Sequence, residues 1–335
     1  MARYDFASDN TAGAAPEALE ALVHFNEGFT SGYGTDLVTA EAADLVRELL
    51  DADADVRFSA SGTASNAVSL AALCRPFEAV AAHQHAHVCT DETGAPGFFG
   101  HGLGLIGLPG ASGRIDPEAL ERALEAADVS YRQSPAALSL TNATEYGTVY
   151  SEAEIGALTA IAKAKGLRVH LDGARLANAV AAGFDPKRIK DLGIDILILG
   201  GTKAGMPPTE AVVLLDKTLA RRFDARMKQA GQLPSKGRFL SAPWIGMLRS
   251  GAWAGRARHA NAMARKLVEL MPFKVRHAVQ ANAVFVEMDD DALERLRAKG
   301  WFVYRFTDGT VRFMCSWATT PEAVEDIGEA LKAVA

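Results

Sequence analysis

Two short apolar runs in the middle of the chain, residues 167–171 and 194–199, are each bounded by glycine and polar residues. Runs of about four to eight apolar, partly β-branched residues are typical of buried strands in a parallel sheet. Similar runs predict further strands at 56–59, 80–82, 137–140 and 211–215. In such sheets, ligands bind just beyond the carboxyl ends of the strands. The pattern therefore predicts an α/β fold with a mostly parallel sheet and a site at the ends of the two central strands.

Helices are predicted in the stretches between these strands. They cover residues 16–25, 39–50, 62–74, 116–127, 151–165 and the basic segment 217–230, and a short extended piece precedes them at 4–6. Thr39 is the expected cap of the second helix. Ser151 and Glu154 have the spacing of a capping box at the start of the fifth.

The composition shifts near residue 243. Long helices are predicted over 244–271, followed by strands at 275–277, 283–288, 302–304 and 311–315 and helices at 290–299 and from 321 onward. This α+β pattern predicts a smaller C-terminal domain. We therefore expect an N-terminal segment (1–25), a large domain (26–242) and a small domain (243–335).

The two central strands carry the candidate chemistry to one edge of the sheet. The first run delivers Asp172 and Arg175, and the second delivers Thr202 and Lys203. A lysine beside small residues can form a Schiff base with an aldehyde cofactor when its amine can lose a proton. Pyridoxal phosphate (PLP) requires such a lysine and also a carboxylate against its pyridine nitrogen, and an arginine can hold a substrate carboxylate as a fork. Taken singly, the aspartate could be a helix cap and the lysine a solvated surface group, but together they favour a site.

Three other positions outside the central strands are candidates. Gly62 and Thr63 begin a helix after a strand, where small residues and free N–H groups form either a phosphate cradle or an ordinary helix start. Arg312 lies within an apolar strand and needs an anionic partner, either a protein carboxylate or a substrate. The alternating histidines at 83, 85 and 87 have a metal-site pattern, but no clear fourth ligand follows by spacing, so no metal is expected.

Composition and charge narrow the classes of partner. The chain has 335 residues, 49% of them hydrophobic, and a formal net charge of −6, which disfavours nucleic acid or an anionic membrane as a partner. Cys74, Cys89 and Cys315 have no metal-type spacing and are expected to be free thiols. No signal region or membrane span is evident, so we expect a cytoplasmic protein.

Five stretches together carry a resemblance to a known family. They are SDNTAGAAPEAL from residue 8, GYGTD from 32, SGTASNAVSL from 61, LDGARLANA from 171 and VRFMCSWATT from 311. The chain resembles the threonine aldolases among the fold-type I PLP enzymes over nearly its whole length. The resemblance implies a large domain like that of aspartate aminotransferase and a small C-terminal domain. It also implies retro-aldol cleavage of L-threonine, L-allo-threonine and related β-hydroxy-α-amino acids to glycine and an aldehyde, with low specificity.

The resemblance also implies roles for particular residues. Lys203 would hold PLP, Asp172 would face the pyridine nitrogen, and His87 would stack on the ring. Thr202 and Arg175 are also expected to contact the cofactor. Ser8, Tyr33, Arg175 and Arg312 would lie near the substrate, and Lys228 and Arg238 of a partner chain would reach the cofactor phosphate. Glu145 stands where much of the family has a histidine, so the catalytic base is left open between His87, a water that it orients, and Glu145.

Two alternatives and an assembly remain as expectations. A PLP-dependent β-eliminating amino-acid lyase would share the same motif, and a non-catalytic PLP-binding regulatory protein is a candidate from another class. By resemblance, the protein is expected to be a homotetramer built from dimers.

Overall fold

A computed structural model describes residues 2–126 and 129–335 of the chain. Seven strands form the large sheet: β1 Asp55–Ser59, β2 Glu78–His83, β3 Gly104–Leu108, β4 Ser134–Thr141, β5 Arg168–Gly173, β6 Ile196–Gly200 and β7 Glu210–Leu214. Their order across the sheet is β1-β7-β6-β5-β4-β2-β3. The five strands from β6 to β3 run parallel, whereas β7 and β1 are antiparallel to their neighbours. The predicted α/β class is confirmed.

Helices cover both faces of this sheet. They are α1 Pro16–His24, α2 Leu37–Leu50, α3 Gly62–Leu73, α4 His87–Thr90, α5 Ala95–Phe99, α6 Pro117–Glu125, α7 Glu152–Ala164, α8 Leu176–Ala181, α9 Phe223–Gln229, α10 Arg238–Arg249 and α11 Ala252–Glu269. One apolar core lies on the face of the sheet that carries Leu171, Leu199 and Val213. A second lies on the opposite face, between the sheet and helices α3 and α9. The central strands are buried on both faces, which explains why they are continuously apolar.

A second, antiparallel sheet follows in the C-terminal part. It consists of β8 Ala283–Val286, β9 Tyr304–Arg305 and β10 Val311–Met314, with β10 in the middle. Helices α12 Asp290–Ala298 and α13 Pro321–Lys332 pack on it with the end of α11. The predicted boundary at residue 243 falls inside α10, whose Trp244 and Met247 belong to the core of the large sheet. The division into domains stays a prediction.

The N-terminal segment joins the two parts. Phe6 packs in the core of the small sheet, and Arg3 forms an isolated bridge with Trp301. Farther on, Ala15 and Ala18 lie in the core of the large sheet. Residues 7–13 therefore pass from one part of the molecule to the other.

Several local predictions need correction. The predicted extended piece at 4–6 is mostly a turn. The cap of α2 is Asp36, whose carboxylate accepts hydrogen bonds from the N–H and hydroxyl of Thr39. The predicted helix at 217–230 is broken into a 3-10 turn, Lys217–Ala220, and α9, because Arg222 between them has a left-handed backbone (φ 63°). Ala127, the predicted end of α6, lies outside the described residues.

Other local signals hold. The capping box is present, with Ser151 accepting from the N–H of Glu154 and the Glu154 carboxylate accepting from the N–H of Ser151. The histidine alternation does not continue as a strand, because β2 ends at His83, His85 lies in a turn and His87 begins α4. Within the described residues, no helix combines the length and apolar composition needed to span a bilayer.

Candidate active site

The site lies at the carboxyl ends of β5 and β6, where the sequence places it. Asp172 is the penultimate residue of β5 and pairs in register with Ile198 of β6. Strand β6 ends at Gly200, and Lys203 follows in a short 3-10 turn, Thr202–Ala204. The two candidate groups thus leave adjacent parallel strands at the same edge of the sheet.

Asp172 is buried and hydrogen-bonded through both oxygens. Oδ1 accepts from the N–H of Ala174 at 2.9 Å, and Oδ2 accepts from Nδ2 of Asn66 at 2.9 Å. Burial alone would raise the pKa of this carboxyl, but the positive charge of Lys203 and these hydrogen bonds hold it below its usual value. Asp172 is therefore a permanent negative charge near Lys203.

A polar chain links Asp172 to His87. Asn66 also donates to Oε1 of Glu92 at 2.8 Å, and the same oxygen lies 2.9 Å from Nδ1 of His87. The hydrogen bond from Glu92 raises the pKa of His87, although burial opposes it. Burial in turn raises the pKa of Glu92. Glu92 thereby fixes the imidazole orientation and leaves Nε2 as the ring nitrogen available for other partners.

The loop that carries Lys203 is packed too tightly for larger residues. A Cβ at Gly200 would lie 2.2 Å from the carbonyl oxygen of Ala174, and one at Gly201 would lie 2.5 Å from that of Thr209. The hydroxyl of Thr202 donates to the carbonyl of Thr209 at 3.3 Å and accepts from its N–H at 3.1 Å. The Thr202 hydroxyl is also a hydrogen-bond partner of Glu210. The described contacts of Thr202 therefore join its loop to the start of β7, and its predicted role toward a cofactor stays a prediction.

Helix α3 begins beside these strand ends. The hydroxyl of Ser61 caps it by accepting from the N–H of Ala64, so the N–H groups of Gly62 and Thr63 fall in the first turn, where no intrahelical acceptor exists. A Cβ at Gly62 would meet no atom within 4 Å. This open space beside two free donors fits the predicted phosphate cradle.

Arg175 forms a buried ion pair that the sequence did not reveal. Its Nε donates to Oδ2 of Asp9 at 2.7 Å, and Nη2 donates to Oδ1 at 3.0 Å. Burial would raise the pKa of Asp9, but the charge and hydrogen bonds of Arg175 lower it to about 2. Asn282 also donates to this carboxylate at 3.2 Å. The two N–H groups of Arg175 that were predicted to bind a substrate carboxylate thus bind Asp9. Nη1 of Arg175 makes no hydrogen bond to any described residue.

Arg312 lacks such a partner. It forms no ion pair with any described residue, its Nη2 donates to the carbonyl of Ala7 at 3.2 Å, and its buried Nε has no hydrogen-bond partner. Burial and the nearby charge of Arg175 lower the pKa of the guanidinium. The protein carboxylate considered as its partner is therefore not found among the described residues, which leaves the arginine available to an anion from outside.

Glu145 lies between these groups. It is half-buried in the loop after β4, and its charge acts on His87, Arg175 and Arg312. Ser8 lies beside Asp9, and its hydroxyl accepts from the N–H of Asn10. With the exception of Tyr33, the predicted substrate-side and catalytic residues therefore gather around one site, and their individual roles stay predictions.

Tyr33, Lys228 and Arg238 form a separate group on the surface. Nζ of Lys228 lies 4.6 Å from the centre of the Tyr33 ring, and Arg238 donates to backbone carbonyls of residues 26–28. None of their described contacts reaches Lys203 or Asp172 of the same chain. This arrangement leaves their predicted role to a neighbouring chain.

A histidine and tyrosine group lies next to the site. The hydroxyl of Tyr146 is 2.6 Å from Nδ1 of His85, and the Tyr146 ring packs on His277 at 4.5 Å between ring centres. No set of three or more His, Cys, Asp or Glu side chains in the described part of the chain is arranged to hold a metal. The sequence analysis did not identify four residues of this region: Asp9, Glu210, Tyr146 and Asn282. Asp9 lies in the motif SDN (residues 8–10) and Tyr146 in the motif TNATEY (residues 141–146), and these motifs were the only sequence signals for them.

Comparison with known proteins gives consistent results. A family model described as beta-eliminating lyase matches residues 5–291. Two proteins named low specificity L-threonine aldolase, from Pseudomonas aeruginosa and from Pseudomonas sp., are each 44% identical over 337 residues, covering 98% of this chain and 97% of theirs. A solved structure of Leishmania major threonine aldolase superposes with a TM-score of 0.93 at 31% identity, covering 99% of this chain and 100% of that one.

Proposed function

The chain belongs to the beta-eliminating lyase family, and from that membership and its site we propose that it is a low-specificity L-threonine aldolase. The reaction is cleavage of L-threonine, L-allo-threonine and related β-hydroxy-α-amino acids to glycine and an aldehyde. The observation that carries the proposal is the position of Lys203 and of the buried, ionised Asp172 after adjacent parallel strands, at the same edge of the sheet. The two Pseudomonas relatives, both low specificity L-threonine aldolases, support the aldolase activity over the other activities of the family.

The family is PLP-dependent, and the residues present fit that cofactor. Lys203 would hold its aldehyde carbon, Asp172 its pyridine nitrogen, and the first turn of α3 at Gly62 and Thr63 its phosphate. When bound, PLP supplies an electron sink for the pair of electrons released as the Cα–Cβ bond breaks. The negative charge of Asp172 would serve this chemistry by keeping the pyridine nitrogen protonated.

Two arginines are available for the substrate carboxylate. The guanidinium of Arg312 has no carboxylate partner among the described residues and contains a buried, unpaired Nε. Arg175 binds Asp9 through Nε and Nη2, which leaves its Nη1 available. A carboxylate held here would be fixed by charge-assisted hydrogen bonds in a site of low dielectric constant. Such fixing orients the bond to be broken, which contributes more to the rate than any single proton transfer.

A base must take the proton from the β-hydroxyl group. His87 is our first candidate, because Glu92 occupies Nδ1 and leaves Nε2 to accept that proton directly or through a water. Glu145 is the second candidate, since it lies where its charge reaches both His87 and Arg312. Either group would add roughly 10²–10⁴-fold to the rate.

The test is the absorbance spectrum of the purified protein with an aldehyde assay. We expect a visible band from the lysine-bound cofactor, and release of aldehyde and glycine with L-threonine, L-allo-threonine and phenylserine. Lys203→Ala should lose both the band and the turnover, because no other group can replace the amine. Ammonia and a keto acid as products would instead support a β-eliminating lyase, and a band without any product would support a non-catalytic binder.

We also propose an assembly in which a second chain completes the site, with tetramers built from such dimers. In support, segment 19–37 exposes Val23, Phe29 and Leu37 by 75%, 108% and 85%, and the Tyr33–Lys228 pair lies on the same surface. Lys228 and Arg238 would there reach the partner's cofactor phosphate. Mass measurement by light scattering tests this, and a monomer would contradict it. We also propose a cytoplasmic location, which the free thiols Cys74, Cys89 and Cys315 support.

A further inference from the structure

Glu210, the first residue of β7, is a buried acid that the proposed mechanism does not use. It pairs in register with Gly200 of β6 on one side and Ser59 of β1 on the other. Its side chain lies on the same face as Val212 and Leu214, under α3 and α9. A carboxyl at such a position is costly unless it is hydrogen-bonded or used.

Its contacts lead to the loop of Lys203. Oε2 of Glu210 accepts from the N–H of Gly201 at 2.8 Å, and the hydroxyl of Thr202 is a second hydrogen-bond partner. Thr202 is in turn bonded to Thr209, the residue before Glu210. The carboxyl group is therefore tied to the two residues that immediately precede Lys203.

Few charges face this carboxyl group. Helix α3 has no titratable side chain, and α9 contributes the apolar Phe223 and Met227 to this face. Arg57 of β1, on the same face, is paired with Asp224 of α9 at 2.6 Å. The charges that act most on Glu210 are those of Lys203 and Asp172. Burial raises the pKa of Glu210 to about 7, against the opposing effects of the Gly201 and Thr202 hydrogen bonds and the charge of Lys203. Both protonation states are therefore populated near neutral pH.

We propose that Glu210 is a positioning residue for Lys203, which anchors the lysine loop and, when ionised, stabilises a positive charge on the lysine nitrogen. This inference rests on the proposed function, in which that nitrogen carries the cofactor. The protonation of the lysine nitrogen and that of Glu210 are then coupled. The pH dependence of the lysine–cofactor bond therefore reflects both groups together and neither one alone. Glu210 would set the pH range in which the site is ready for substrate.

The experiment is a pH titration of the visible absorbance band of the holoenzyme, without substrate. Glu210→Gln keeps an oxygen for the N–H of Gly201 and removes the charge. We expect the variant to retain the cofactor, and we expect the midpoint of its absorbance change to fall by about one pH unit, the size of shift that a nearby opposite charge produces. The broad transition of the wild type should become a single step. Glu210→Asp keeps the charge and should return the midpoint towards that of the wild type, with weaker cofactor retention.

The matched control is Glu287→Gln, the same change at an exposed position in the small domain, which should leave the curve unchanged. If Glu210→Gln does not fold, Thr202→Val is the deciding variant. Loss of the Thr202 hydroxyl disfavours ionised Glu210, so the midpoint of the absorbance change should fall by a smaller amount. A titration curve identical to that of the wild type in the decisive variant overturns the inference. Absence of any visible band in the wild type would instead contradict the proposed function.

Discussion

Arg312 shows most directly what a single residue contributes to the site. Its guanidinium is largely buried, it is not paired with any described carboxylate, and it lies beside the Asp9–Arg175 pair. A cation in this position without a counter-ion is unfavourable for folding, and the nearby charge of Arg175 adds repulsion. We therefore propose that an anionic ligand supplies the missing counter-charge.

We predict that Arg312→Ala keeps the visible band but lowers kcat/KM for L-threonine by roughly 10- to 150-fold, the equivalent of about 1.5–3 kcal/mol for a lost hydrogen bond to a charged group. Most of this loss should appear in KM. Arg312→Lys should recover only part of it, because a lysine cannot form the same fork. The control is Arg305→Ala on the neighbouring strand, whose guanidinium is bound to the carbonyl of Met288 and to Asp290. Equal effects of Arg312→Ala and Arg305→Ala would contradict the assignment.

The residues that could be predicted from sequence are those whose chemical type contrasts with their immediate neighbours. Asp172 and Arg312 interrupt or end apolar strands, and Lys203 follows two glycines. Asp9 and Glu210 could not be assigned in this way, because their significance depends on distant partners. Asp9 is hydrogen-bonded to Arg175, which lies 166 positions further along the chain. Glu210 accepts a hydrogen bond from Gly201, in the loop between β6 and β7.

At the scale of elements, the position of Lys203 depends on how closely β6 approaches β5. Gly200 faces the backbone of Ala174, and the indole nitrogen of Trp253 donates to the carbonyl of Gly200 at 3.0 Å. On the other side, Trp244 donates to the hydroxyl of Thr209 at 3.1 Å. Two tryptophans from α10 and α11 thus hold the strand and the loop from behind.

We predict that Gly200→Ala lowers stability by roughly 1–3 kcal/mol, because the new methyl group meets backbone rather than a side chain that can move. It should also weaken cofactor retention, since the end of β6 must shift. Urea unfolding and the visible band measure the two effects. Gly255→Ala is the matched control, because a Cβ at that half-buried position of α11 meets nothing within 4 Å and alanine favours a helix. A Gly200→Ala protein as stable as Gly255→Ala would show that the close approach is not needed.

Apolar runs and caps predicted most elements to within a few residues, since burial on both faces imposes a continuous pattern. The failure at 217–230 has a local cause. Its basic residues suit a solvated helix, but the left-handed conformation of Arg222 breaks the segment, and no glycine or proline marks that point in the sequence. Likewise, the direction of β7 and β1 could not be read from their composition, because antiparallel and parallel strands buried on both faces look alike.

Across the whole molecule, polar contacts join the two sheets around the site. His277 of the C-terminal part lies 3.0 Å from the hydroxyl of Ser112 and 2.8 Å from Asp308, while Tyr146 packs among Phe285 and other residues of the small sheet. Asp9 makes the corresponding link on the other side, through Arg175 and Asn282. The residues of the proposed site therefore keep their geometry only when both parts and the N-terminal segment are in place.

Asp9 gives this link a definite pH dependence. Its pKa is about 2 in the folded chain, against about 3.9 for an aspartate in an unfolded chain. Above about pH 5 the carboxylate is ionised in both states and its contribution, of the order of 2 kcal/mol, is fully present. As the pH falls from about 5 to 2, the unfolded chain binds the proton first, so stability is lost over this window. Asp9→Asn should remove this component of acid sensitivity and lower stability at neutral pH by roughly 3–5 kcal/mol, because Arg175 stays buried without its counter-charge. Urea unfolding of both proteins between pH 2 and 7 measures the difference, and parallel curves for the two would show that the Asp9–Arg175 pair does not hold the parts together.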